Sequence, residues 1–510
     1  MADSDSDSDP VAPPLRPPLQ PSPSPRDFEP EDIEKLRQWQ EARLQKQLKG
    51  QYQSNMIRLL DVINNNMDTP SQISSVRVEG GQQYTRPSFL RSLLDPLVPP
   101  PSEENDLRSA IQSAGRIASV LLATDIYSSV DARLERAKSP LAGPLDVDVV
   151  LQTRNKPKYY VNAKTEVGDN EGSTSLVGRI RNVFGGAELL EGSLTVGTTT
   201  RKAANASLTF PLTSSVQTWG ELQGYMFERD SSSFASCTEA FSGAKALVRS
   251  GFFGGGKHEF AYEAVSRHIG NLQPNASLPM REAAGQSVKS AISHTFVLDT
   301  RDDSLVPTKG FYFRTSQEIA GLGGDASFVK SEVHGHVSRP ISSSSSISFA
   351  ARSGILWGLN GKPTLFPDRF QLGGPCSVRS FALNTLGPRA DRLPMDAPPP
   401  LPATARDSLG GELYWSAGLS LISDFPRKPH WPVKTHAWIN AGRLEDLDKS
   451  RPAGDTVRGM LTRPSVSAGV GLIYNFAPAR IELNFGLPLV ASKGDGTRRG
   501  LQLGVGLEFL

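Results

Sequence analysis

The sequence predicts an all-β barrel in a membrane, preceded by one small α/β domain and a disordered tail. Three observations point there. From about Pro157 to Leu510 helical periodicity nearly vanishes, and short alternating runs recur between clusters of Gly, Ser, Asn, Asp and Pro. The face opposite each apolar stripe carries Gly, Ser, Thr, Asn and Glu, as a lumen would. No apolar run reaches the roughly 18 residues of a helical span, so any membrane crossing would have to be made by strands.

The elements follow in order. Residues 1–27 alternate Ser with Asp and then run VAPPLRPPLQPSPSPR. Such a stretch cannot bury enough apolar surface to offset its ordering entropy, so it is predicted disordered. Residues 28–65 contain good helix formers and sparse apolar positions (Leu36, Trp39, Leu44, Leu48), which predicts a polar helical segment. Residues 66–156 read β-α-α-β-β, with helices over Arg86–Leu94 and Asn105–Leu122 and strands at 74–80, Val130–Leu134 and Leu145–Thr153. Residues 157–510 are the barrel. Leu501, Leu503, Val505, Leu507 and Phe509 alternate with Gln502, Gly504, Gly506 and Glu508, and Ile481, Leu483, Phe485 and Leu487 with Glu482, Asn484 and Gly486. Sixteen strands would use about 22 residues each, turns included, which suits transmembrane strands. A soluble β-sandwich gives the same alternation and stays open at this point. The chain ends on a strand, as a closing strand would.

Composition narrows the function. Lys+Arg number 55 against 53 Asp+Glu, a net charge of +2, so no basic excess marks a nucleic-acid binder. Two cysteines, Cys237 and Cys376, cannot build a disulfide framework or a zinc cluster. The start MADSDSDSDP is acidic and has neither an apolar secretory core nor an Arg-rich amphipathic presequence. Gly251–Lys257 has phosphate-loop spacing, but His258 stands where Ser or Thr would hold magnesium, so a hairpin turn is expected. His334 and His336 share one strand face without a third ligand, which predicts a lumenal or rim pair and no metal site. No nucleophile elbow, triad or paired carboxylate is evident, so no enzyme activity and no cofactor are expected.

Three segments carry the functional signal. Asp299-Thr300-Arg301-Asp302-Asp303 and Pro307–Tyr312, with Gly310, form a hairpin whose charges must face the lumen or the aqueous rim. A connection of some 50 residues, about 360–409, holds Val378-Arg379-Ser380-Phe381; loops this long are functional or disordered. The terminal strand reads polar-x-Gly-x-x-apolar-x-apolar through Gln502, Gly504, Leu507 and Phe509.

Together these motifs resemble the β-barrel assembly family of outer-membrane proteins, also called the bacterial surface antigen family. The resemblance covers roughly 66–510. It implies a sixteen-stranded barrel with a weak lateral seam between first and last strands, a single POTRA domain at 66–156, and an Arg-bearing loop folded back into the lumen. The single POTRA and the acidic start look most like the mitochondrial branch, the core subunits of the sorting and assembly machinery. That branch implies residence in the mitochondrial outer membrane with the POTRA in the intermembrane space. It also implies clients that are β-barrel precursors, peripheral machinery subunits as partners, and contact with outer-membrane lipid. The terminal strand is similar to the sorting signal of mitochondrial barrels.

Two departures matter. The family motif has Gly where Ser380 stands, and Asp where Asn440 stands in Trp438-Ile439-Asn440-Ala441-Gly442. With that carboxylate gone, Glu412 is expected to pair with Arg379 and, with Asn440, to pin the loop. The expected function is an insertase. A chloroplast-envelope translocation channel of the same family and a passive outer-membrane pore remain the alternatives.

Overall fold

In this computed structural model the described residues are 37–45, 57–80 except 58–59 and 63, 84–100, 105–168 except 141 and 144, and 171–506. The last stretch omits 214–215, 252–254, 394–405, 426–430, 448–452 and 477–478. The tail at 1–27, the Pro-rich run at 395–404, Gly251–Lys257 in part, and Leu507 and Phe509 therefore lie outside the described residues. Residues 37–45 are helical. The chain divides into two compact units, one of 1–78, 98–116 and 132–151, the other of 79–97, 117–131 and 152–510.

A three-stranded sheet of order β1-β3-β2 is built from β1 (Gln72–Glu79), β2 (Tyr127–Arg136) and β3 (Asp146–Asn155). The helix Pro87–Leu94 begins with Pro, whose missing N–H is no loss at that position. The helix Leu107–Ala123 buries Ala110, Ala114, Ile117 and Leu121 at helical spacing. Asp106 caps its start by accepting the Ser109 N–H at 2.8 Å. On the strands, Asp148 accepts from Ser75 Oγ (2.7 Å), Arg77 (3.2 Å) and the Lys138 N–H (3.3 Å). These donors, Ser75 first, outweigh burial and hold its carboxyl below the usual range.

The barrel is one sixteen-stranded antiparallel sheet. Its first half is β4 (Tyr159–Gly168), β5 (Glu171–Arg181), β6 (Leu189–Gly197), β7 (Thr200–Pro211), β8 (Thr218–Asp230), β9 (Thr238–Ser250), β10 (Lys257–Gly270) and β11 (Gly285–Asp299). The second half begins with β12 (Gly310–Gly324), β13 (Phe328–Ser342) and β14 (Ser345–Gly358). A short hairpin of β15 (Arg389–Asp391) and β16 (Arg406–Ser408) lies in the connection that follows. Then come β17 (Leu413–Asp424), β18 (Val433–Glu445), β19 (Ser465–Phe476), β20 (Ala479–Val490) and β21 (Gly500–Gly506). Fifteen ladders join neighbours in this order. The two ends of the sheet, β4 and β21, approach each other without a ladder among the described residues.

Burial along the strands is the reverse of a soluble sheet. On β20 Leu483, Phe485 and Leu487 are exposed while Glu482 and Asn484 are buried. On β21 Leu501 and Leu503 are exposed and Gln502 is buried; on β18 Ile439 is exposed while His436, Trp438 and Asn440 are buried. Large apolar groups on the outside and polar groups within suit a hydrocarbon solvent. Among the described residues no helix is long and apolar enough to cross a membrane. The sheet is thus a transmembrane β-barrel.

The lumenal arginine site

Two connections fold inside the barrel, one bonded to the Glu482 carboxylate and the other to the wall arginine Arg480 beside it. The first runs from β14 to β17. Phe370, Leu372, Val378, Phe381 and Leu386 are buried against wall residues Phe328, Ala350, Leu356 and Leu444. Burying this apolar set is what holds a segment of such length in place.

The apolar contacts aim Arg379, which is fully buried. Its Nε donates to Glu482 Oε2 at 3.0 Å and its Nη2 lies 2.9 Å from the same oxygen and 3.2 Å from Oε1. Nη1 donates to Asn440 Oδ1 at 3.0 Å. The guanidinium also lies over the Trp438 ring, 5.3 Å from its centroid. A planar fork on a carboxylate fixes direction as well as distance. Glu482 is itself oriented: Asn484 Nδ2 donates to it at 2.8 Å, and Asn484 Oδ1 accepts from Trp438 Nε1 (3.0 Å) and His436 Nε2 (2.7 Å).

Glu482 thus takes the role expected of Glu412, and this corrects the sequence reading. Glu412 accepts from Thr364 Oγ1 at 2.6 Å and the Leu447 N–H at 3.1 Å, and lies 3.9 Å from Arg369. It stands just before β17, six residues from Gly418, the position paired with Asn440. At about 3.3 Å per residue that is roughly 20 Å along the strand, beyond the reach of Arg379. Glu412 fastens the rim of the connection, not its arginine. Asn440 does touch Arg379, and its Nδ2 is buried without a partner among the described residues. Glu482 is the one acid on β20, but other barrel strands carry comparable acids and only the register separates them.

Ser380 explains the family glycine. Its φ is +64°, a left-handed conformation that an L side chain resists. Its N–H donates to Gln502 Oε1 at 3.0 Å, and Gln502 Nε2 donates to the Phe381 carbonyl at 3.2 Å. Ser467 Oγ donates to the Arg379 carbonyl at 2.6 Å, and the Arg498 N–H to the Ser380 carbonyl at 2.9 Å. The loop backbone is therefore tied directly to β21 and its lead-in. Gly504 is buried opposite Glu482 in the β20 ladder. Ser380→Gly should stabilise the docked loop by up to ~1 kcal/mol, the relief of strain less the added chain entropy. The urea midpoint of the compact gel form checks this, and a fall in midpoint would mean that the hydroxyl makes a needed contact.

The same connection is fastened to the far wall. Asp407, fully buried, accepts from Ser236 Oγ (2.6 Å), the Ser277 N–H (2.8 Å) and Arg392 Nε (2.8 Å). Arg267 of β10 pairs with Asp368 at 2.6 Å. The segment therefore spans the lumen.

The second connection is the 299–310 hairpin, at the opposite barrel end. Arg301 bonds to Asp299 (2.8 and 2.9 Å) and stacks on Tyr312, while Thr300 Oγ1 donates to the Phe311 carbonyl at 3.0 Å. Gly310 has φ +103°, and a Cβ there would sit 2.4 Å from the Thr300 carbonyl, so only glycine fits. Val306 is buried with Ile422 and Ile473, so the turn tucks inward. Arg480 Nη1 donates to the Leu305 carbonyl at 3.1 Å, and Arg480 also pairs with Glu482. Glu482 thus pairs both with the arginine of the first connection and with the wall arginine that holds the second. His334 and His336 lie on the inward-facing positions of β13, and no group of three or more metal-ligating side chains occurs among the described residues.

Asp302 locks the hairpin. Burial pushes its carboxyl up, but Thr308 Oγ1 (2.5 Å) and the N–H groups of Lys309 (3.1 Å) and Thr308 (3.0 Å) prevail and hold it down at about 2. A value below the unfolded one of about 3.9 gives stability that is complete above that pH and lost as pH falls through about 2. Asp302→Asn should remove it at neutral pH, so trypsin should cut faster after Arg301 and Lys309. Unchanged cleavage would show that the charge is not what holds the turn.

Comparison with known proteins agrees with this geometry. Residues 182–509 match the Omp85 superfamily domain. The chain is 35% identical over 460 residues to a SAM50-like protein of Schizosaccharomyces pombe, covering 89% of this chain and 94% of that one. It is 30% identical over 407 residues to the sorting and assembly machinery component 50 homolog of Mus musculus, covering 76% and 81%. Its fold is similar to BamA from Haemophilus ducreyi lacking POTRA domains 1–3, with a TM-score of 0.69 at 17% identity over 86% of this chain and 84% of that one. A sixteen-stranded barrel with an inward arginine loop, matched over most of its length by these relatives, places the chain in the Omp85 superfamily, among the SAM50 proteins.

Proposed function

We propose that this chain is an insertase, not an enzyme, that folds β-barrel precursors into the mitochondrial outer membrane as the core of a sorting and assembly machinery. The carrying observation is the junction of β4 and β21. The other fifteen junctions are zipped by ladders, while this one has none among the described residues. Among the described residues strand β21 is held to β20 by seven paired positions, against fourteen between β13 and β14. Its glycines 500, 504 and 506 add no packing of their own.

The physical need is plain. A precursor cannot expose open strand edges to lipid, because each unsatisfied N–H or C=O costs several kcal/mol there. A parted seam offers backbone partners, so a client strand adds by β-augmentation and hairpins follow with every group satisfied. No nucleotide is needed, since the closed product is more stable than the unpaired precursor. The three-stranded domain would face the intermembrane space and receive clients, and peripheral subunits would complete the machinery, as the relatives' names suggest. A passive pore fits less well, because both inward connections pack on the inner wall of a lumen that a pore would keep open.

The test is a seam lock. One cysteine in Tyr159–Gly168 and one in Gly500–Gly506, in a Cys376→Ser background, are oxidised and the cross-link is verified by mass. Assembly of a labelled precursor in isolated mitochondria should stop and return on reduction. Undiminished assembly by the locked barrel would reject the seam mechanism.

A further inference from the structure

The ion pair that fastens the β14–β17 connection to the far wall uses only part of its bonding capacity. Arg267 and Asp368 are 2% and 5% exposed, and Arg267 Nη1 donates to Asp368 Oδ1 at 2.6 Å. Arg267 Nε and Nη2 and Asp368 Oδ2 are buried too, and none of the three has a hydrogen-bond partner among the described residues. Such atoms are costly to leave unmatched, and an ion or a water ordinarily meets them. Arg379 shows what the Nε–Nη2 edge does when it is matched: it grips both oxygens of Glu482. Asp368 is held in place by its backbone, whose carbonyl accepts from Lys330 Nζ at 3.1 Å and whose N–H donates to the Leu365 carbonyl at 3.0 Å.

Both residues line a lumenal cavity of about 470 Å³, a size that suits a small ligand. Its charged lining is Lys245, Arg267 and Lys289 against Glu263 and Asp368, one positive charge in excess. Glu263 is already matched, with Oε1 accepting from the Tyr225 hydroxyl at 2.5 Å and Oε2 2.9 Å from Lys289 Nζ. Phe227 and Phe241, stacked at 4.5 Å, give the cavity an apolar wall. A complementary ligand therefore brings negative charge, two oxygens for the guanidinium edge and one donor for Asp368 Oδ2. The edge presents two parallel N–H bonds, which suit two oxygens of one oxyanion better than a single water. Carboxylate and sulfate offer the oxygens but carry no proton at neutral pH, whereas hydrogen phosphate offers both.

We propose that Arg267 and Asp368 form a lumenal site for a phosphate group that keeps one proton. Two phosphate oxygens accept from Arg267 Nε and Nη2, and the P–OH donates to Asp368 Oδ2. The ligand bridges β10 and the connection, and so fastens the connection at the end remote from Arg379. The site does not depend on the seam mechanism.

The probe is sodium phosphate titrated calorimetrically into the full chain in maltoside micelles, with sodium sulfate in a parallel titration. One saturable phosphate site is expected, with sulfate weaker by at least about 10-fold for want of one bond to a charged group. Arg267→Lys keeps the charge without the fork and should weaken phosphate about 10–100-fold. Asp368→Asn should remove the preference over sulfate, because an amide can donate where the carboxylate only accepts. Phosphate should also raise the urea midpoint of the compact gel form. Glycerol 3-phosphate separates the sources: binding at least as tight assigns the site to the phosphate of a small ester, and weaker binding to the free ion. Arg201→Ala should leave binding intact, since its partners Glu228 and Asp230 do not line the cavity. Heat-modifiable gel mobility shows that each variant folds. Absence of saturable phosphate binding, as when water alone matches the pair, overturns the proposal, and so does equal binding of sulfate by the unaltered chain.

Discussion

Glu482→Ala is expected to be the most damaging single change in the lumen. It leaves the guanidinium groups of Arg379 and Arg480 buried without their shared anion. Removing one partner of a buried pair typically costs about 3–5 kcal/mol, because the remaining charge stays out of water. The urea concentration that abolishes the compact gel form in detergent should fall accordingly. Replacing both ends with apolar groups, Arg379→Met with Glu482→Leu, should cost less than the sum of the single changes, a coupling of at least about 1 kcal/mol. Additive losses would mean that the two side chains only share a neighbourhood. Glu412→Ala is the contrasting control, since its partners sit at the rim.

Gly486→Leu should displace the loop while leaving the strands paired. A Cβ at this position would lie 2.3 Å from Ser380 Oγ and 2.7 Å from Trp438 Cη2. Gly469, its ladder partner, is as tight, with Phe485 O at 2.3 Å. These two glycines let the indole lie flat on the wall beneath Arg379. Overpacking usually costs about 1–3 kcal/mol, and here the softest response is movement of the connection. Maleimide labelling of Cys376, half-buried and 3.8 Å from the Val505 carbonyl, should accelerate. Cys237 serves as internal reference, because burial pushes its thiol up to about 12 and keeps it unreactive. Gly335→Leu, where the space is open, should change neither rate. Equal labelling in both variants would show that Gly486 does not set the loop position.

The barrel was legible because its periodicity is local. Alternation in 481–487 and 501–509 follows from the two-residue pleat and needs no tertiary knowledge. Strand number came less directly, since loops of unequal length blur the count and the family resemblance supplied sixteen. The loop motif could be read at Val378, Arg379 and Phe381, and the glycine-like conformation of Ser380 gives its family counterpart a physical cause. The partner of Arg379 was misread, because pairing across a barrel depends on shear and depth that adjacency in sequence does not encode. Proximity to the motif favoured Glu412, whereas reach along the strand selects Glu482. The inward fold of 299–310 was half visible: its charges required water or a lumen, but nothing local showed Val306 meeting Ile422 and Ile473.

The tether between Gln502 and the backbone of Ser380 and Phe381 makes two motions into one equilibrium. Strand β21 cannot leave its neighbour without forfeiting bonds to the connection, and the connection cannot withdraw without loosening β21. By reciprocity, whatever free energy the docked segment lends to pairing of β21, any displacement of that strand returns in full as undocking. A latch of this kind links the state of the barrel's side to that of one mouth of the cylinder.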